Sequence, residues 1–253
     1  MTTTTTSPAD PWVYNGRKQR MIPDEQGELR PYQRVSTFAK TLSDSGGLIA
    51  WKAWMTLRGA AADGNEALVQ QALHAERTPA GIIKQLAEAG GSKDKAEIGT
   101  RRHQVVAMAL NGADLTAMPA DARAELDAIL ALIHSLGTVQ VVEGATVCDQ
   151  YQTAGSMDLL LTSPTGQPIV ADLKTGAKLD LLSGAIQLAA HARSRHWVDG
   201  GRGDWVAPTL PRLVLIHAPQ DGTAPRAVDI DPAQAKRAAD LAAQVRDLRK
   251  ELR

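Results

Sequence analysis

With one cysteine in 253 residues, Cys148, the chain can form no internal disulfide and no zinc or iron–sulfur site built from four cysteines. Cys148 reads as a small buried residue at the end of a strand. Neither sign of charge dominates. There are 28 basic and 28 acidic residues, so the net charge is zero and any contact with a polyanion must come from local clusters. Three clusters qualify: Arg17-Lys18-Gln19-Arg20, Arg101-Arg102 and Arg193-Ser194-Arg195. No apolar run approaches the ~20 residues of a membrane helix. The threonine-rich start, Met1 to Asp10, lacks the basic and apolar segments of a signal peptide. The expectation is a tail on a cytoplasmic protein without a membrane partner. A phosphate loop GxxxxGK[ST] and a GxSxG elbow are both missing, which sets aside phosphate-loop NTPases and serine hydrolases of the elbow type.

What is present is ordinary in bulk, 43% hydrophobic and 22% charged, and long enough for a sizeable core. Residues 1–34 are polar and rich in Pro, Gly and charge, and are expected as a tail and loop. Residues 35–136 carry helical periodicity: Leu48, Trp51, Trp54, Met55 and Leu57 as a core-facing set, then helices near 64–74, 79–89, 93–110 and 120–136. At Gly137 the period switches to alternation. Three strands are expected over 138–148, 153–162 and 167–174, then a helix over 180–197, a Gly-rich loop to Thr209, two more strands and a closing helix. Short turns make the first three strands antiparallel, and the helix after Lys174 permits a crossover to a parallel strand. The fold class is therefore α+β: a mixed central sheet flanked by helices, residues 137–253, forming one compact unit with the helical region 35–136.

The turns act as rulers. Folding about Thr165, in Pro164-Thr165-Gly166, sets Asp158 opposite Asp172 and Ser156 opposite Lys174. Folding about Gln150-Tyr151 sets Glu143 opposite Asp158. Three carboxylates then form a row beside Lys174, with Glu143 on the face of Val139, Val141, Ala145 and Val147. Like charges facing one another destabilise a sheet. A divalent cation resolves the conflict, and hard oxygen ligands suit Mg²⁺ or Mn²⁺. Such a metal could polarise a phosphoryl oxygen while Lys174 offsets charge on the phosphate. Gln187 and His191, four residues apart, can face the same groove. The bland alternative is a strand-surface ion pair, Asp172–Lys174, with Asp158 solvated.

Gly155-Ser-Met-Asp158, Asp172-Leu-Lys174-Thr-Gly176 and Gln187-Leu-Ala-Ala-His191 resemble the GxxD, DxKTG and QxxxY motifs of RecB-like nucleases in the PD-(D/E)xK, or restriction-endonuclease-like, superfamily. Gly99-Thr-Arg-Arg-His103 resembles that family's upstream GTxxH. The architecture is similar to exonucleases of actinobacterial phages. The resemblance implies that Asp158 and Asp172 bind the metal with His103 as a further ligand. It makes Lys174 catalytic, Glu143 an active-site acid, and Gln187 an orienting or DNA-contacting group. Arg101, Arg102 and His191 would meet DNA. It further implies a hydrolase cutting DNA with Mg²⁺ or Mn²⁺ in phage replication or recombination. DNA, a phage recombination protein and a second copy of the chain are the partners to expect. His191 stands where the family usually has tyrosine, and the four cysteines of the iron–sulfur branch are missing. Two other readings stay open. One is a non-catalytic DNA-binding or assembly module with the same fold. The other is partner docking by a heptad-like stripe in the last helix (Ala238, Leu241, Val245, Leu248, Leu252).

Overall fold

The structure, a computed structural model, describes residues 11–16, 18–44 and 46–252. The threonine-rich start and Arg17 lie outside the described residues. The chain divides into two compact units, Asp44–Val105 and the remainder, Met1–Ser43 with Val106–Arg253.

The first elements belong to the larger unit: β1 (Arg20–Pro23), β2 (Leu29–Arg34), α1 (Val35–Ala39) and a single 3-10 turn at Lys40–Leu42. The region expected as a tail and loop is thus partly a hairpin. Asp24 builds its turn, accepting from the backbone N–H groups of Gln26 and Glu28, and Gly27 takes a left-handed φ of 83°. The strands were hidden because their outer positions are polar and only Ile22 and Tyr32 are buried.

The Asp44–Val105 unit holds α2 (Gly46–Ala60), α3 (Glu66–Leu73), α4 (Ala80–Ala89) and most of α5 (Ser92–Leu110). Helices α2 and α4 touch backbone to backbone. A Cβ on Gly59 would collide with the Leu86 carbonyl, and one on Gly90 with that of Met55. Met55 and Gly59 therefore mark the packed face. Trp54 and Leu57, expected in the core, are 57% and 64% exposed instead. The helical region is also not continuous with the sheet as one unit: the division falls within α5, and residues 35–43 and 106–136 go with the sheet.

The sheet unit continues with α6 (Ala120–Leu136), whose Leu126, Ile129 and Ile133 are buried on one face. Then come β3 (Thr138–Cys148), β4 (Thr153–Thr162), β5 (Pro168–Lys174), α7 (Leu181–Ala192), β6 (Arg195–Val198), β7 (Gly201–Trp205), β8 (Arg212–His217), β9 (Arg226–Ile230) and α8 (Pro232–Glu251). Strand order is β7-β6-β3-β4-β5-β8-β9, with β2 joining β4 and β1 joining β2. The β3–β4–β5 run is antiparallel, and α7 carries the crossover to β8, which is parallel to β5. This is the mixed α+β architecture expected. The Gly-rich loop contains a hairpin instead, β6–β7, turned by Asp199 and Gly200, both with positive φ. Asp-Gly is a strong type I′ hairpin signal. Helix α7 accordingly ends at Ala192, five residues earlier than expected.

Helices α1, α7 and α8 cover one side of the sheet, burying Phe38, Ile186, Leu188, Leu213 and Leu215 in one cluster. Helix α8 contributes alanines, Ala235, Ala239 and Ala242, rather than the leucine stripe; Leu241, Leu248 and Leu252 are exposed. A second cluster, on Trp12, Ile22, Val147 and Trp197, includes a stacked Trp12–Trp197 pair at 5.6 Å. Cys148 is fully buried, and burial pushes its thiol up to about 11, so it is an inert core residue. Among the described residues no helix is long and apolar enough to cross a membrane.

Candidate active site

The β4–β5 turn closes with mutual backbone bonds between Ser163, Gly166 and Gln167, and Gly166 adopts a φ of 84°. It sets the register Leu159↔Ala171 through Thr162↔Pro168. One step beyond the ladder's end, Asp158 stands opposite Asp172, as the turn predicts. Likewise, Val142↔Leu159 and Gly144↔Met157 bracket Glu143 against Asp158.

The ladder stops there for a topological reason. Strand β3 runs along one edge of β4 from Thr153 to Thr162. The other edge is shared: β5 takes Leu159–Thr162, and β2 takes Thr153 and Ala154. Between them the sheet forks. Beyond Ala171, β5 stays with β8, pairing Asp172, Leu173 and Lys174 with Leu215, Ile216 and His217. The carboxylate of Asp158 enters the fork and accepts the Leu173 backbone N–H at 2.9 Å, replacing a lost ladder bond.

Three side chains close a ring beside it. Lys174 Nζ lies 2.6 Å from Asp172 Oδ2 and donates to Gln187 Oε1 at 2.9 Å. Gln187 Nε2 donates to Asp172 Oδ1 at 2.6 Å. Only one orientation of the amide satisfies a cation on one side and a carboxylate on the other. Asp172 is 2% exposed, so an ionised carboxylate there requires such partners. Gln187 is delivered by α7, whose first turn is capped by Asp180 through the Ser183 N–H. Gly184 lets the helix come down on β8: a Cβ there would sit 2.5 Å from Leu215 Cδ1. His217, level with Lys174, sits with Nε2 2.8 Å from the Gly176 carbonyl and steadies the loop after Lys174.

One turn beyond Gln187, His191 is fully buried. Thr146 donates its hydroxyl proton to the Gly155 carbonyl at 3.2 Å and lies 2.9 Å from His191 Nδ1. A hydroxyl has one proton, so Nδ1–H must be the donor to Thr146. The neutral ring therefore has a bare lone pair at Nε2, which is buried and meets no partner. Burial pushes the pKa of His191 down to about 4; the Asp158 carboxylate opposes this shift and the Lys174 ammonium adds to it.

The sheet unit thus brings together Asp158, Asp172, Lys174, Gln187 and His191. Glu143 is level with Asp158 but exposed, with a left-handed φ of 52°. Its expected face is corrected. Val141 packs with the α7 cluster, whereas Ala145 and Val147 pack with Trp12 on the other side. A register shift between Val139 and Val141 and the positive φ at Glu143 break the alternation. Arg101, Arg102 and His103 lie on α5 in the Asp44–Val105 unit, Arg101 exposed and the other two half-buried. Thr146, the Leu173 N–H and His217 were not foreseen. His217 could have been found by aligning the ends of parallel strands, but Thr146 carries no sequence signal.

Among the described residues no three His, Cys, Asp or Glu side chains gather as a metal-holding group. The donor set nonetheless suits Mg²⁺ or Mn²⁺, since Mg²⁺ is commonly held by one or two carboxylates and otherwise by water. Asp158 and Asp172 supply two hard carboxylates from adjacent strands, and the buried His191 Nε2 keeps a lone pair without a hydrogen-bond partner. No protein-family model matches this sequence, and no curated protein matches it.

Proposed function

We propose that the chain is a divalent-metal-dependent deoxyribonuclease, an exonuclease hydrolysing DNA phosphodiesters in phage replication or recombination. The observation that carries this reading is the fork in the sheet, with Asp158 opposite Asp172 and the Lys174 ammonium 2.6 Å from Asp172. Asp158 and Asp172 would hold Mg²⁺ or Mn²⁺, which would polarise a phosphoryl oxygen and acidify a bound water. Lys174, 32% exposed, reaches solvent and can offset negative charge that develops on the phosphate. Gln187 keeps Lys174 and Asp172 in place, and the neutral His191 can accept a hydrogen bond from water. Glu143 remains part of this proposal as an acid; His103 belongs to the Asp44–Val105 unit.

The same ring supports a second reading. Asp172 is already satisfied by Lys174 and Gln187, as a purely structural ion pair would be. On that view the fold is a non-catalytic DNA-binding or assembly module. Labelled linear DNA with free ends, end-blocked DNA and a closed circle, each incubated with Mn²⁺ and with Mg²⁺, separate the two. The nuclease reading expects cleavage of the free-ended substrate, lowered at least about 10²-fold in Asp158→Ala and Lys174→Ala. Binding without cleavage under either metal gives the module.

A further inference from the structure

A groove of about 1210 Å³ opens in the sheet unit between the β1–β2 hairpin, α1 and the last turns of α8. Lys18, Arg30, Arg34, Arg246, Arg249 and Lys250 line it, and no carboxylate does among the described residues. In a chain of zero net charge this is a local concentration of one sign. Its cations fall into two sets. Arg30 is paired with Asp24, and Arg246 and Lys250 share Asp247, each at 3.0 Å. Arg246 also donates to the Tyr151 carbonyl and lies over the Phe38 ring. These three build the wall. Lys18, Arg34 and Arg249 are exposed and have no ion pair among the described residues. Lys18 is held at a left-handed φ of 57° in a turn tied by Asn15.

The remaining lining decides the ligand. Among the described residues it is Gln, Thr and Pro, with no aromatic ring. Splayed single strands are bound by stacking bases on aromatic side chains, which this groove lacks. Acidic polypeptides dock with apolar or aromatic anchors, also missing here. Phosphate oxygens need only cations and neutral donors. Helix α1 forms one wall through Thr37, while its buried Phe38 packs in the α7 cluster that neighbours Gln187.

We propose that this groove is a sequence-independent track for the phosphate backbone of duplex DNA, separate from the residues that would cut it. The proposal rests on the nuclease reading for its choice of DNA over other polyanions. The test uses the full chain in EDTA, with fluorescence anisotropy of a short labelled duplex over a range of salt. In the triple variant Lys18→Gln/Arg34→Gln/Arg249→Gln, the slope of log K against log salt becomes shallower by about 0.9 per residue, about 2.7 in all. Affinity at low salt falls at least about tenfold, and Arg123→Gln on α6 leaves both unchanged. An unaltered slope in a triple variant of unchanged thermal melt overturns the track. So does a single strand bound as tightly as the duplex, or polyglutamate competing as well as DNA. The two readings fail separately. Cleavage by wild type with Mn²⁺ alongside an unaltered slope removes the track alone; a lowered slope without cleavage removes the nuclease alone.

Discussion

Two charged regions of the sheet unit are built on opposite principles. At the fork, the Asp172 carboxylate is withdrawn from water and is answered by Lys174 and Gln187. In the groove, Lys18, Arg34 and Arg249 remain exposed, with no ion pair among the described residues. The difference reflects the cost of desolvation. A buried charge must be answered within the protein, whereas a solvated one can be kept for a ligand.

Removing one member of the closed set should have the largest effect. Lys174→Met strands Asp172 and is expected to cost about 3–5 kcal/mol in urea unfolding. The double variant Asp172→Leu/Lys174→Met should regain most of that loss. A single variant as stable as wild type would mean that the ring is not a desolvated ion pair.

Acid comes next. The unfolded chain protonates His191 near pH 6.5, the folded chain only near pH 4. The unfolded state therefore binds more protons between these values, and stability falls as pH drops through that window. Above it His191 contributes no pH dependence. The loss reaches about 3 kcal/mol at full development. Subtracting the stability profile of His191→Gln isolates this component from the carboxylates, and identical profiles would contradict a buried neutral ring.

The smallest effect belongs to an exposed pair. Arg212 and Asp229 are bonded across β8–β9, but Asp229 is 59% exposed. Asp229→Ala should shift stability by only about 0–1 kcal/mol, read from the same unfolding curves. A loss as large as that of Lys174→Met would erase the contrast between buried and solvated charges.

The part of the site legible in the sequence was the part that turns dictate. Gly166 and its neighbours fix the β4–β5 register, so placing Asp158 against Asp172 required only counting. The face of Glu143 could not be counted, because a left-handed residue inside a strand leaves no residue-type signature when it is not glycine. The Thr146–His191 bond spans 45 positions and depends on how α7 lies over β3. The groove draws on residues 18–41, 152 and 246–250, of which only the basic cluster around Lys18 stood out locally. The β6–β7 hairpin is a different case: Asp199-Gly200 announced it, and the abundance of glycine around it disguised the signal as a loop. The break within α5 follows from contacts between helices, which periodicity does not encode.

The fork has a consequence for the order of assembly. Gln33 and Thr153, which pair at its far side, are 120 positions apart. On the ribosome β2 is made early and then waits for β4 to emerge. Closing so long a loop is entropically slow, so the N-terminal hairpin should dock after β3, β4 and β5 have paired locally. The edge that frames Asp158 is then completed last, and a nascent chain would carry its acidic pair before the sheet around it is whole.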